Sequence, residues 1–160
     1  MTALRRCLDM LERYQVPFVY TRHANAYTAR EVAEAEHLPA YMLAKTVIVR
    51  GPNGYAMVVL PADCKVNLCE LATTLNLQHL RLATEEELRE RFPESEVGAM
   101  PPFGALCGLP VYMDVRLAEE PNIFFAAGTH RDAIHMSVVD YIRLADPAIV
   151  RFAYPDRQVA

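Results

Sequence analysis

The chain opens on an amphipathic pattern. Leu4, Cys7, Leu8 and Leu11 recur at helical spacing within residues 3–14, with charged residues between them, and predict a helix with one buried stripe. Residues 16–23, VPFVYTRH, turn β-rich and predict a first strand. Thr28 and Glu31 have the spacing of a capping box and predict the start of a short helix. Two apolar runs, 46–50 and 55–60, flank Gly51-Pro52-Asn53-Gly54. The Asn-Gly pair there predicts a hairpin, because it supplies the positive φ a tight turn needs. Asn67 with Glu70, Thr84 with Glu87 and Ser137 with Asp140 predict three more helix starts. The first of these helices should end near Leu75, and the second should stop at Pro93. Residues 80–83 (LRLA), 111–115 (VYMDV), 122–128 (NIFFAAG) and 133–137 (AIHMS) predict short strands, the last with one face buried. The final residues, YPDRQVA, read as a frayed tail. The sum is a mixed α/β chain of roughly six or seven short strands and several helices. Hairpin signals without regular strand–helix alternation favour a mixed sheet or barrel over a doubly wound fold.

Composition narrows the class. At 160 residues the chain is expected to form one domain, residues 1–160, with a real core. It is 52% hydrophobic and 22% charged, as soluble globular proteins are. A net charge of −4 disfavours non-specific grip on a nucleic-acid duplex but allows a local contact with the end of an RNA. No apolar run is long enough to span a membrane, and the charged N-terminal helix does not read as a signal peptide. The four cysteines, Cys7, Cys64, Cys69 and Cys107, match no zinc or redox spacing. They are expected to be reduced thiols of a cytosolic protein.

Candidate chemistry starts from an imbalance. Lys45 and Lys65 are the only lysines among 16 basic residues, the rest being arginine. Yet Lys45 stands at the mouth of the run Val47-Ile48-Val49. It is either a flanking cation reaching solvent or a compact point charge aimed at one carbonyl or phosphate oxygen. Residues 97–110, VGAMPPFGALCGLP, are too rich in glycine and proline for a helix or central strand, and too apolar for a solvated loop. They form either a rigid crossover or a ligand-lining loop, in which Gly98 lets backbone approach a ligand and N–H groups meet an oxyanion. AAGTH, 126–130, is either a plain β-turn or a turn that aims Thr129 and His130 into a pocket. His135 reads as structural or exposed. Cys64 and Cys107 have no histidine base paired with them in sequence, and Cys7 and Cys69 read as packing residues. His23, His130 and a cysteine lack metal-ligand spacing, and no phosphate-binding glycine loop occurs. The residues themselves thus call for no metal, no cofactor and no protein nucleophile.

The order of these pieces is informative. Lys45 is followed by Thr46 and an apolar strand, then a hairpin, then a GxxxP loop (Gly98 to Pro102), then a glycine turn before the last strand. That order resembles the YbaK/ProX family of aminoacyl-tRNA deacylases, related to the editing domain of bacterial prolyl-tRNA synthetase, from about Tyr20 to Leu144. The resemblance implies a mixed, β-barrel-like sheet surrounded by helices. It implies hydrolysis of the ester joining a wrong amino acid to the 3′-terminal adenosine of tRNA. Lys45 then stands at the family's essential lysine, and Gly98 and Pro102 at its GxxxP loop. Gly128 stands at its glycine turn, extended by Thr129 and His130. Met42, Phe103, Leu106 and Cys64 are candidate wall residues, with core packing equally open for each. Water is the implied nucleophile, oriented by the substrate's 2′-hydroxyl. A free-standing enzyme acting in trans follows, on the acceptor end of tRNA for proline carrying a wrong small amino acid. Prolyl-tRNA synthetase is a partner the resemblance suggests; DNA and membranes are not. Two other readings stay open: a catalytically silent module binding tRNA or synthetase, and a small-molecule esterase.

Overall fold

The computed structural model describes residues 1–24 and 29–156, excluding the side chains of Ala29 and Arg30. Thr28 of the expected capping box therefore lies outside the described residues. Helix α1 (Ala3–Arg13) is capped by Thr2, whose hydroxyl accepts the Arg5 N–H at 3.1 Å. Its stripe buries Cys7 and Leu11 completely. There follow β1 (Val19–Arg22), α2 (Ala29–Ala35), a 3-10 turn (Ala40–Met42), β2 (Ala44–Gly51) and β3 (Gly54–Pro61). Next come β4 (Cys64–Val66), α3 (Leu68–Thr74), β5 (Arg81–Leu82), α4 (Glu85–Arg91) and a second 3-10 turn (Gly104–Leu106). The chain continues with β6 (Val111–Asp114), α5 (Val115–Ala118), β7 (Asn122–Ala126), β8 (Asp132–Ser137), α6 (Val138–Ala145), β9 (Ala148–Val150) and β10 (Ala153–Pro155). The expected caps form: Asn67 accepts from Glu70 N–H, Ser137 from Asp140 N–H, and Thr84 with Glu87 completes a reciprocal box.

The fold is mixed α/β. A five-stranded sheet runs β5-β2-β3-β6-β9, with β2 antiparallel to β3 but β3, β6 and β9 parallel. A three-stranded antiparallel sheet runs β1-β8-β7, and β4 pairs with β10. A bridge between Leu43 and Phe124 stitches the two larger sheets together just before β2. Among the described residues the strands do not close into a full barrel. The β2 register alternates side chains between two cores. Ile48, Met57 and Val59 face one that includes Phe103, Phe125 and Tyr141; Val49, Val58 and Leu60 face another with Leu71 and Phe152.

Three differences from the sequence expectation have physical causes. Ten strands are described, because β4, β9 and β10 are only three residues long and too short to show alternation. Their pairing is decided by distant partners. Ala153–Pro155, expected within a frayed tail, is strand β10 held by β4. The hairpin turn is centred on Pro52-Asn53 between paired Gly51 and Gly54. Its positive φ (+124°) falls on Gly54 rather than on Asn53.

Candidate active site

Lys45 is the second residue of β2, where the two larger sheets meet. A pocket of about 230 Å³ opens there, lined by Lys45, Thr46 and Val47 from β2, Gly98 and Met100 from the glycine–proline loop, and His130. Val32, Leu43, Ala44 and Ala126 close its apolar side. Lys45 is half-buried, and among the described residues no carboxylate lies within ion-pair distance of it. Desolvation by burial lowers its ammonium pKa, with Lys65 acting in the same sense. The charges of Asp156, Cys64 and Asp63 oppose that shift.

The loop and the glycine turn are bolted to each other. Ala99 N–H donates to Glu96 O at 3.0 Å, Gly128 N–H to Ala99 O at 2.7 Å, and Glu96 N–H to Gly128 O at 2.8 Å. His130 Nε2 lies 2.8 Å from Val97 O, so that nitrogen carries the proton. Gly98 adopts a left-handed φ of +85°, which favours glycine. The Gly98 and Met100 N–H groups, both on the pocket loop, have no acceptor among the described residues. Donors with no acceptor among the described residues, on a loop lining an apolar cavity, suit a developing negative oxygen.

The remaining sequence candidates do not all reach this pocket. Gly128, at φ +97°, turns toward α1: a Cβ there would meet Leu4 N at 3.0 Å and Ala3 Cβ at 3.2 Å. Thr129 Oγ1 donates to Asp132 at 2.5 Å and accepts the Arg131 and Asp132 N–H groups, so it shapes the turn that carries His130. Tyr20 also donates to Asp132, from β1. Pro102 is buried, and its carbonyl accepts the Tyr141 hydroxyl at 2.7 Å. Phe103 sits in the core, its ring centroid 5.6 Å from Phe125 and 5.3 Å from Tyr141. With Leu106 it borders a separate cavity of about 270 Å³. Met42 lies in the first 3-10 turn and does not line the Lys45 pocket. Cys64 is buried on β4, and desolvation pushes its thiol up to about 11, which leaves it a poor nucleophile.

Val47, Met100 and Ala126 are wall residues that sequence reasoning missed. Val47 was recoverable, being two residues beyond Lys45 on one strand face. Ala126 was not, since it depends on how β7 meets β2. Among the described residues no cluster of three histidine, cysteine or carboxylate side chains could hold a metal. No helix among them is long and apolar enough to cross a membrane.

Lys45, Gly98, Met100 and His130 thus come together around one small pocket, with the glycine turn hydrogen-bonded to its loop. Residues 23–144 match the aminoacyl-tRNA editing domain family, and the chain belongs to it. The chain is 33% identical over 114 residues to the proline–tRNA ligase of Fervidobacterium nodosum, covering 71% of this chain but 19% of the ligase. It thus spans about a fifth of that relative. It is 26% identical over 153 residues to the multifunctional Ser/Thr-tRNA deacylase ProXp-y of Escherichia coli K12, covering 92% of this chain and 91% of the deacylase. The fold is also that of the solved "putative trans-editing enzyme for prolyl tRNA synthetase", with a TM-score of 0.82 at 24% identity over 96% of this chain and 98% of that one.

Proposed function

We propose that the chain works in trans, in the cytoplasm, clearing a wrong small amino acid from tRNA for proline. The observation that carries this reading is the convergence of Lys45, Gly98 and His130 on one pocket of about 230 Å³ with apolar walls. A cavity of that size takes a small side chain and its ester and leaves the tRNA body outside. Lys45 is the cation that orients the ester carbonyl or the neighbouring phosphate through charge-assisted hydrogen bonds. The Gly98 and Met100 N–H groups stabilise the tetrahedral oxyanion. Water attacks, positioned by the 2′-hydroxyl of the terminal ribose, and the ester bond to the ribose oxygen breaks. His130 forms part of the wall, carried by the turn that Thr129 shapes and Gly128 ties to the loop; Pro102 anchors the loop through Tyr141.

The likeness to ProXp-y over nearly the length of both chains supports action outside a synthetase. The ligase relatives support tRNA for proline as substrate and prolyl-tRNA synthetase as a partner. The test is deacylation of tRNA for proline charged in turn with alanine, cysteine, serine, threonine and proline. Release of one mismatched amino acid, with prolyl-tRNA spared, is expected. No release from any of them removes the reading and leaves a tRNA- or synthetase-binding module; equal release without the tRNA body leaves an esterase.

A further inference from the structure

The glycine–proline loop borders two cavities. Gly98 and Met100 line the Lys45 pocket. Met100, Phe103, Leu106 and Cys107 line the separate cavity of about 270 Å³, whose other walls come from α1 and the end of α4. Met100 is thus a wall that the two share. The depth of the second cavity is apolar, with half-buried Phe92 beside the buried Phe103. Its rim is charged: Arg6 from α1, Arg91 from α4, and Glu94 just beyond α4. The walls are tied to each other. The Ala3 N–H donates to Glu94 O at 3.1 Å, and the Arg6 guanidinium meets the Glu94 carboxylate at 2.6 Å. Glu94 is therefore engaged. Arg91 has no such match: its guanidinium lies 5.5 Å from the centre of the Tyr55 ring, and among the described residues no carboxylate is within ion-pair distance of it.

We propose that this cavity is a second ligand site, separate from the Lys45 pocket, that takes a small organic carboxylate with an apolar body, and that its occupant acts on the Lys45 pocket through Met100. Charge selects the anion. Two guanidiniums and one carboxylate leave the rim one positive charge in excess, and that carboxylate already holds Arg6. The planar donor fork of Arg91 is the shape a carboxylate matches. A cationic ligand would meet both arginines, and a neutral one would leave Arg91 unmatched. Volume sets the size: the cavity falls just below the range that holds drug-sized ligands, so it suits one ring or a short chain. The apolar depth favours burial of that body, and the Phe92 and Phe103 rings suit an aromatic one. The editing reaction does not account for these groups, since Arg6, Arg91 and Cys107 do not line the Lys45 pocket. The route between the two sites is short. Met100 has an unbranched, adaptable side chain, so an occupant packed against it limits how the loop carrying Gly98 can give.

Cys107 makes occupancy readable. Cys7 and Cys64 are buried, so in Cys69→Ser the accessible thiol is that of Cys107, on the cavity wall. The probes are phenylacetate and phenylacetamide, matched in shape and different in charge, at constant ionic strength. Phenylacetate should slow the labelling of Cys107 by N-ethylmaleimide, with a midpoint in the millimolar range usual for so small a ligand. Phenylacetamide should need about tenfold more, and so should phenylacetate when Arg91→Met is added, the loss expected for one hydrogen-bonded charge contact. Arg91 is exposed, so labelling without probe should be the same with and without that substitution. In protein labelled with nitrogen-15 glycine, the amide signal of Gly98, which lines the Lys45 pocket but not this cavity, should shift with the same midpoint. No protection at about 50 mM, or equal protection by acid and amide, overturns the site. Protection by phenylacetate that Arg91→Met leaves unchanged overturns the anion contact. A Gly98 signal that stays put while Cys107 is protected overturns the link to the Lys45 pocket. Neither readout involves tRNA, so both stand whatever the deacylation assays give.

Discussion

Replacing Lys45 by methionine separates catalysis from stability. The two side chains have similar length and stem, so Lys45→Met removes the charge and little packing. If the ammonium meets the developing negative oxygen, its loss removes one oxyanion contact, worth about 3–4 kcal/mol in a sheltered site. That corresponds to a fall of roughly 100- to 1,000-fold in single-turnover rate. Stability should move the other way or not at all. Lys45 is half-buried, burial lowers its pKa, and no direct ion pair is lost. A base whose folded pKa is lowered is penalised by folding while it is protonated. The penalty is present at neutral pH and fades as pH rises through the lowered folded value. The methionine variant should therefore melt at or slightly above the wild-type temperature at pH 7, with the difference shrinking at alkaline pH. The assay pairs deacylation of mischarged tRNA with urea unfolding of the same preparations. A variant within about threefold of wild-type activity would refute the role of the charge, since 100-fold is the smallest loss the contact implies. A variant that loses more than about 2 kcal/mol of stability would show Lys45 to be structural, since surface-type substitutions stay within about 0.5 kcal/mol.

Other consequences are open to measurement. Asp114→Ala leaves three backbone N–H groups, those of Arg116, Phe152 and Ala153, without their acceptor. It should cost about 3 kcal/mol or more in urea unfolding and speed amide exchange at Phe152 and Ala153; unchanged exchange there would contradict that anchorage. Tyr141→Phe removes only the donor to Pro102 O. It should cost about 1 kcal/mol and lower kcat more than KM, whereas wild-type kinetics would detach Pro102 from the pocket's geometry. Among the thiols, exposed Cys69 should react first with a disulfide reagent, while buried Cys7, pushed up to about 12, should react only on unfolding. Cys7 and Cys64 both ionise in the unfolded chain from near 9, well below their folded values of about 12 and 11. Their contribution to stability is thus complete below pH 9 and falls as pH rises above it, visible as a declining melting temperature; a flat profile from pH 8 to 11 would speak against their burial.

The sequence by itself determined the elements whose signals are local. The stripe of α1, the caps at Asn67, Thr84 and Ser137, and the β2–β3 hairpin all depend on residues within a few positions of one another. It also marked Lys45, because a lysine among arginines before a buried strand is a local anomaly, and Gly98, because glycine in an apolar, proline-rich loop lets backbone approach a ligand. Tertiary structure decided what depends on distant partners. β4, β9 and β10 are too short to carry a period and exist because β10, β6 and Asp114 hold them. The positive φ in the hairpin moved to Gly54 because strand register, rather than the Asn-Gly pair, set the turn's centre. Gly128, Pro102 and Phe103 share the motif region of the sequence, yet packing turns Gly128 toward α1 and sends Phe103 into the core. The walls from Val32, Met100 and Ala126 come from elements far apart along the chain. No local pattern encodes such distances; they follow from which faces of the two sheets must be buried together.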